Sequence, residues 1–327
     1  MTAALVLAGY AVLLSVLAPR LLAGAAWVER APLLGTAMWQ AVTAAVFVAP
    51  VLGALALSVP TLHATTHLAL LLRACEAALR ARYATPGGAA TGAAGILFAL
   101  TVVARLAYVL LRASVHTLIQ RRRQIRILEL LGTADPATGV IVLDDPSPAA
   151  YCLPGRAGRI VVTRAALDSL APRQLDAVLA HERAHLSGRH DLALILAGSL
   201  SAAFGRVTVF RVAAEQIARL VEIRADDVAV AATDPLTVAE ALLALGRGSA
   251  PNAALGASGP EAAARIRRLI AMPTPLHRAH RLAAAGTVAL VLALPILAFA
   301  APAALALADR DCPPGLVAAL SLPQPSE

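Results

Sequence analysis

Cysteine is scarce in this chain. Among 327 residues there are three, Cys75, Cys152 and Cys312. They lie far apart, form no CxxC pair and give no disulfide framework. Aromatic residues make up only 3% and charged residues only 15%. Alanine and leucine carry the apolar character instead. The hydrophobic share is 59% and the mean hydropathy is +0.72. Soluble domains run at about 45–50% apolar, so much of the chain belongs in lipid. The net charge of +8 could suggest nucleic acid. The arginine run that produces it has no nucleic-acid-binding fold signature beside it, so no direct nucleic-acid binding is expected. In a lipid-embedded chain, arginine clusters mark cytoplasmic flanks.

Four apolar runs are long enough to span a bilayer. The first covers about 3–18. It has no basic residue before it and Pro19-Arg20 after it, so it reads as a retained helix and not as a removed signal. The second covers about 33–59, with Trp27 and Trp39 suited to interface positions. A segment from His63 to Tyr83 carries Arg73, Glu76, Arg80 and Arg82, too charged to span, and reads as a surface helix. The third run, 92–111, contains Arg105, either snorkelling to an interface or paired with a buried acid. The fourth covers 282–308, and 309–327 is expected to be a short extracytoplasmic tail. Arg121, Arg122, Arg123 and Arg126 follow the third run, and Arg278 and Arg281 precede the fourth. Both flanks are therefore expected inside. This makes 1–111 a membrane region and 112–281 a cytoplasmic domain of a multi-pass cell-membrane protein.

Within that domain the pattern changes. VIVL, AAYCL and RIVVT are short apolar runs separated by DDPSP and PGRAG, and read as three strands. Cys152 reads as a small buried hydrophobe. Pro172 opens a helix, although Ala171 before it is a poor cap. Gly188 stops that helix. His190 reads as solvent-exposed. Further helices are expected from about Val207 to Ala232, from Pro235 to Gly246 and through EAAARIRRLI. The Gly/Ala/Ser/Pro-rich stretch 246–260 reads as a mobile loop.

The helix from Pro172 carries His181-Glu182-Arg183-Ala184-His185. Residues four apart share a helix face, so His181 and His185 can hold one metal ion through neutral imidazoles. Glu182 is rotated by roughly 100°. Its carboxylate then sits beside the metal, where it can take a proton from an activated water. This is the HExxH arrangement of zinc peptidases. A catalytic zinc keeps three protein ligands. Glu215 and Glu222 are both candidates for the third, and periodicity alone does not choose between them. A ligating histidine needs an acceptor for its other N–H. Glu222 has Asp226 one turn on, whereas Glu215 has Arg219 there. Glu222 as ligand with Asp226 orienting His181 is the economical assignment.

HERAH followed by EIRAD resembles the gluzincin peptidases. GRIVVTRAALDSL, HERAHLSGRHD and EIRADDVAV, lying between apolar spans, resemble the BlaR/MecR-type integral-membrane metallopeptidases. The HtpX/Ste24-type membrane peptidases share the motif. The resemblance implies a mainly α membrane protein with about four transmembrane helices. An α+β gluzincin-like peptidase domain would be inserted between the third and fourth, with one Zn²⁺ per chain. Arg265 falls where both families carry an Arg-Ile pair, and could serve the transition state or the Asp226 region. Asp191 also matches the family. The implied partner is a cytoplasmic winged-helix repressor of the BlaI/MecI kind, cleaved as a regulatory step. Membrane-protein quality control and a non-catalytic receptor or scaffold are the alternatives. The sensor domain of the β-lactam receptors is expected to be absent.

Overall fold

The computed structural model describes residues 2–58, 84–135, 139–155, 158–248 and 260–308. The expected surface helix at 63–83, most of the loop at 246–260 and the tail at 309–327 lie outside the described residues.

In chain order the elements are α1 (Thr2–Leu22), α2 (Ala26–Arg30), α3 (Pro32–Ser58), α4 (Pro86–Leu131) and the strands β1 (Gly132–Ala134), β2 (Ile141–Leu143), β3 (Ala150–Leu153) and β4 (Arg159–Thr163). Then come α5 (Arg164–Ser169), α6 (Pro172–Ser187), α7 (His190–Phe204), α8 (Thr208–Ala232), α9 (Pro235–Gly248), α10 (Pro260–Ala271) and α11 (Arg278–Ala308). Four of the described helices, α1, α3, α4 and α11, are long and apolar enough to cross a membrane. Two run further than the apolar text suggested. Helix α1 continues through Pro19 to Leu22, because a proline near the end of a helix removes few backbone bonds. Helix α4 spans 46 residues and carries the arginine run as helix to Leu131. No glycine or proline interrupts it between Ile96 and Leu131, and Arg, Gln, Leu and Glu all favour helix.

The chain divides into two compact units, Met1–Val12 with Ala45–Val103 and Leu292–Glu327, and Leu13–Ala44 with Ala104–Val291. In the first, Leu7, Ala11 and Ala49 are buried against Tyr10, Leu52 and Ala298. Helices α3 and α4 approach closely at Gly95. A Cβ there would lie 2.5 Å from the Ala54 carbonyl oxygen and 2.7 Å from Ser58 Oγ. Ser58 Oγ donates to the carbonyls of Ala54 and Gly92. Small residues at such a crossing let backbones meet where apolar burial alone gives no drive.

The second unit contains the sheet, ordered β1-β2-β4-β3. Strand β4 pairs parallel with β2 and antiparallel with β3, and β1 pairs antiparallel with β2. The period of two sorts β4 between faces. Ile160 and Val162 pack with Val178, Leu179 and Ala241 of α6 and α9. Val161 packs with Leu128, near the end of α4. Strand β3 is left at an edge. Thr163 ends the ladder and caps α5, accepting from the Ala166 N–H. The weak cap at Ala171 is compensated by Gln174, whose Oε1 accepts the Ala171 N–H at 3.0 Å. Trp39 is fully buried within the protein, 0% exposed.

Helix α7 was not expected from the sequence. It is tied to α4 at both ends. Arg121 pairs with Asp191 at 2.9 Å, and Arg105 Nε donates to the Ala203 carbonyl at 2.7 Å. Among the described residues Arg105 therefore pairs with no acid. It meets the carbonyl end of a helix, where a cation is favoured.

Gly95→Leu should lower thermal stability in detergent by about 1–3 kcal/mol through overpacking. Exposed Ile96→Ala should leave melting unchanged. Equal melting of wild type and Gly95→Leu would remove the close α3–α4 crossing.

Candidate metal centre

Helix α6 presents His181 and His185 on one face, as a four-residue spacing requires. Their Nε2 atoms lie 3.1 Å apart. From α8, Glu222 brings one carboxylate oxygen to 3.5 Å from His181 Nε2 and the other to 3.4 Å from His185 Nε2. One potential ligand atom from each of the three lies within 4.8 Å of the others. Glu215 is elsewhere. It is 60% exposed and pairs with Arg211 along its own helix. The structure thus brings Glu222, and not Glu215, to the histidine pair.

The surrounding groups orient these side chains. Asp226 Oδ1 sits 3.1 Å from His181 Nδ1, so that ring's other nitrogen faces the cluster. Asp226 is buried. It is held by Arg265, whose Nε donates to Oδ2 at 2.8 Å and Nη2 to Oδ1 at 2.6 Å. Arg265 Nη1 reaches Glu222 at 2.9 Å. All three guanidinium nitrogens therefore meet a carboxylate. Burial would raise the pKa of Glu222 and Asp226, but His181 and Arg265 outweigh it and keep both below the ordinary range. The two histidines diverge. Burial pulls His185 down to about 4. Burial also opposes charge on His181, but hydrogen bonds to Asp226 and Glu222 lift it to about 9.

Glu182 lies at the edge of the same cluster. Burial raises its pKa, while the His181 charge and the thiol of Cys152 lower it. Cys152 is not merely a buried hydrophobe. Burial beside the Glu182 carboxylate pushes its thiol up to about 12. It stays protonated. His190, expected in solvent, is 8% exposed, and its Nδ1 lies 3.0 Å from His185 Nδ1. It orients the second histidine as Asp226 orients the first. The turn that permits this places Arg189 at φ 47 and Gly188 under the ring. A Cβ on Gly188 would sit 2.5 Å from His190 Nε2.

Above the cluster opens a cleft of about 310 Å³, lined by His181, Glu182, Glu222 and Arg265 and by Pro148, Ala149 and Ala150 where β3 begins. Ala177, Val178, Val238, Leu242 and Leu245 supply an apolar wall.

Residues 111–272 match the family model of peptidase family M48. The match supports the M48 zinc metallopeptidase family. No curated protein and no solved structure matches the chain. M48 enzymes are zinc-dependent, and two imidazole nitrogens with one carboxylate oxygen suit that ion. His181, His185 and Glu222 would hold such an ion beside the cleft.

Gly188→Ala should displace His190 and lower zinc affinity by about tenfold, the usual effect of disturbing a ligand's hydrogen-bond partner. His190→Ala should cause a similar loss. The double variant should lose no more than either single one, as read by competitive zinc titration. Additive losses would show that Gly188 acts by another route.

Proposed function

We propose that this chain is an integral-membrane zinc endopeptidase whose catalytic region lies on the cytoplasmic side. The observation that carries the reading is the convergence of His181, His185 and Glu222 beside Glu182, in a cleft bordered by an edge strand. In this reading His181, His185 and Glu222 hold the metal. A zinc ion bound there supplies Lewis acidity to the scissile carbonyl and acidifies the attacking water.

The chain's own residues do the rest. An extended substrate lies along β3, whose outer edge takes no other strand among the described residues and can pair with a backbone. Glu182 takes the proton of the attacking water and passes it to the leaving amine. Cys152 holds the Glu182 carboxylate in place through its thiol. Asp226 fixes the tautomer of His181, and His190 fixes His185. Arg265 keeps Glu222 and Asp226 ionised and aligned, a positioning role rather than direct oxyanion binding. Glu182→Gln should lower kcat/KM by about 10²–10⁴-fold with zinc content unchanged. Loss of zinc together with activity would move Glu182 from base to ligand.

The BlaR/MecR-type resemblance supports a regulatory role, the cleavage of a cytoplasmic winged-helix repressor. The exposed Leu192, Leu194 and Leu196 on α7 favour a second reading, in which membrane-protein segments are the substrates. Terminal-peptide proteomics on cells with wild-type or Glu182→Gln protein separates the two. One or two new termini in a DNA-binding repressor support the first reading. Dozens of cuts across membrane proteins, with every repressor intact, replace it with the second.

The orientation rests on the basic flanks at Arg121–Arg126 and Arg278–Arg281. A cysteine introduced at Ser187 in a chain lacking its native cysteines should resist an impermeant thiol reagent in intact cells and react after lysis. Labelling in intact cells would place the cleft outside.

A further inference from the structure

Two cavities in the second unit take no part in the metal site. The first, about 510 Å³, is bordered by Gly24, Glu29, Arg30, Arg267, Arg268 and Pro273. Three arginines face one glutamate there. Arg268 is engaged with Asp227 and the Glu29 carbonyl. Arg30 donates to the Thr274 hydroxyl and carbonyl. Among the described residues Arg267 makes a bond to the Ala263 carbonyl of its own helix and no other. Among the described residues neither Arg30 nor Arg267 has a carboxylate partner, and both are exposed. The pocket thus has a surplus of positive charge with free guanidinium N–H groups, the fork geometry that matches a phosphate.

Its position in the chain is equally specific. Gly24 follows the end of α1, Arg30 precedes the start of α3, and Pro273 precedes the start of α11. Three membrane-length helices therefore begin or end beside this pocket, so in the membrane reading it lies at headgroup depth. The second cavity, also about 510 Å³, runs between α1, α3 and α11, past Leu17, Leu21, Met38, Ala284 and Thr287. It is almost wholly apolar, with His280 and Trp27 among its few polar or amphipathic neighbours. The same two connectors, 23–31 and 272–277, contribute to both cavities. A surplus of cation at headgroup depth and an apolar crevice alongside the spans complement the two halves of one molecule.

We propose that these cavities form a binding site for a single anionic glycerophospholipid. The phosphate sits against Arg30 and Arg267, and an acyl chain lies along the crevice. Arg268 shapes the pocket floor while anchoring α10 to α8. The site is independent of the peptidase reading, and its test uses no cleavage assay.

Native mass spectrometry of the full chain, purified in mild detergent and offered phosphatidylglycerol or phosphatidylcholine, provides that test. Phosphatidylglycerol should be retained about thirtyfold more strongly, a size expected for two arginines at a membrane surface. Arg30→Gln with Arg267→Gln should abolish that preference without changing the melting temperature. Ala284→Trp, which fills the crevice, should weaken retention of both lipids. Equal retention of the two lipids by the wild type would overturn the proposal. So would displacement of phosphatidylglycerol by glycerol 3-phosphate with Ala284→Trp silent. That result would leave a site for a soluble phosphate and none for a lipid.

Discussion

A carboxylate with 2% of its side chain in contact with water constrains the centre of this protein. Asp226 lies on the buried face of α8, between Ile223, Ala225 and Ala229. An ion in such a place is tolerated only with paired charge and filled hydrogen bonds. Arg265 supplies two bonds from α10, and His181 supplies a third from α6. Three helices that are distant in sequence are thereby fixed around one group. Removing a single partner would strand the others, which costs far more than never having had them. The alignment of the histidine pair with Glu222 follows from this one unavoidable pairing.

Parts of this arrangement were legible in the sequence because they are local. The spacing of His181 and His185 states their shared face, and the acid one turn beyond Glu222 separates it from Glu215. Strands β2, β3 and β4 announced themselves as apolar runs between turn residues. What the sequence left hidden depends on contacts between elements. Strand β1 has three residues, GTA, and no alternation to detect; it exists because β2 offers an open edge. His190 lies beyond a left-handed turn, where helix periodicity no longer reports direction. Cys152 looked apolar because nothing in a strand's text reveals that a glutamate on another element faces it. Arg105 looked costly in lipid because the carbonyl that receives it lies 98 positions away.

Charge in this chain acts mostly at ends. Arg105 and Arg121 hold the two ends of α7, one on a carbonyl and one on a first-turn aspartate. The arginine at the carbonyl end and the aspartate in the first turn both follow the helix dipole. The short α2 behaves in a similar way. Glu29 meets Arg219 of α8 with its side chain and Arg268 of α10 with its carbonyl. The connector after the first membrane-length helix is thus locked onto the two helices that carry Glu222, Asp226 and Arg265. Exposed pairs of this kind contribute about 0–1 kcal/mol each, so their effect is to set register more than to add stability.

The strand order has a consequence for how the chain is made. Strands β2 and β3 are neighbours in sequence but not in the sheet, because β4 inserts between them. Until Thr163 has left the ribosome, β2 has no partner on that side. At typical synthesis speeds the interval is on the order of seconds. The apolar strands must wait that long with an open edge. Helix α5 starts at the very next residue and α6 soon after. The sheet is therefore completed just before the histidines emerge, so the scaffold precedes the chemistry in time as well as in space.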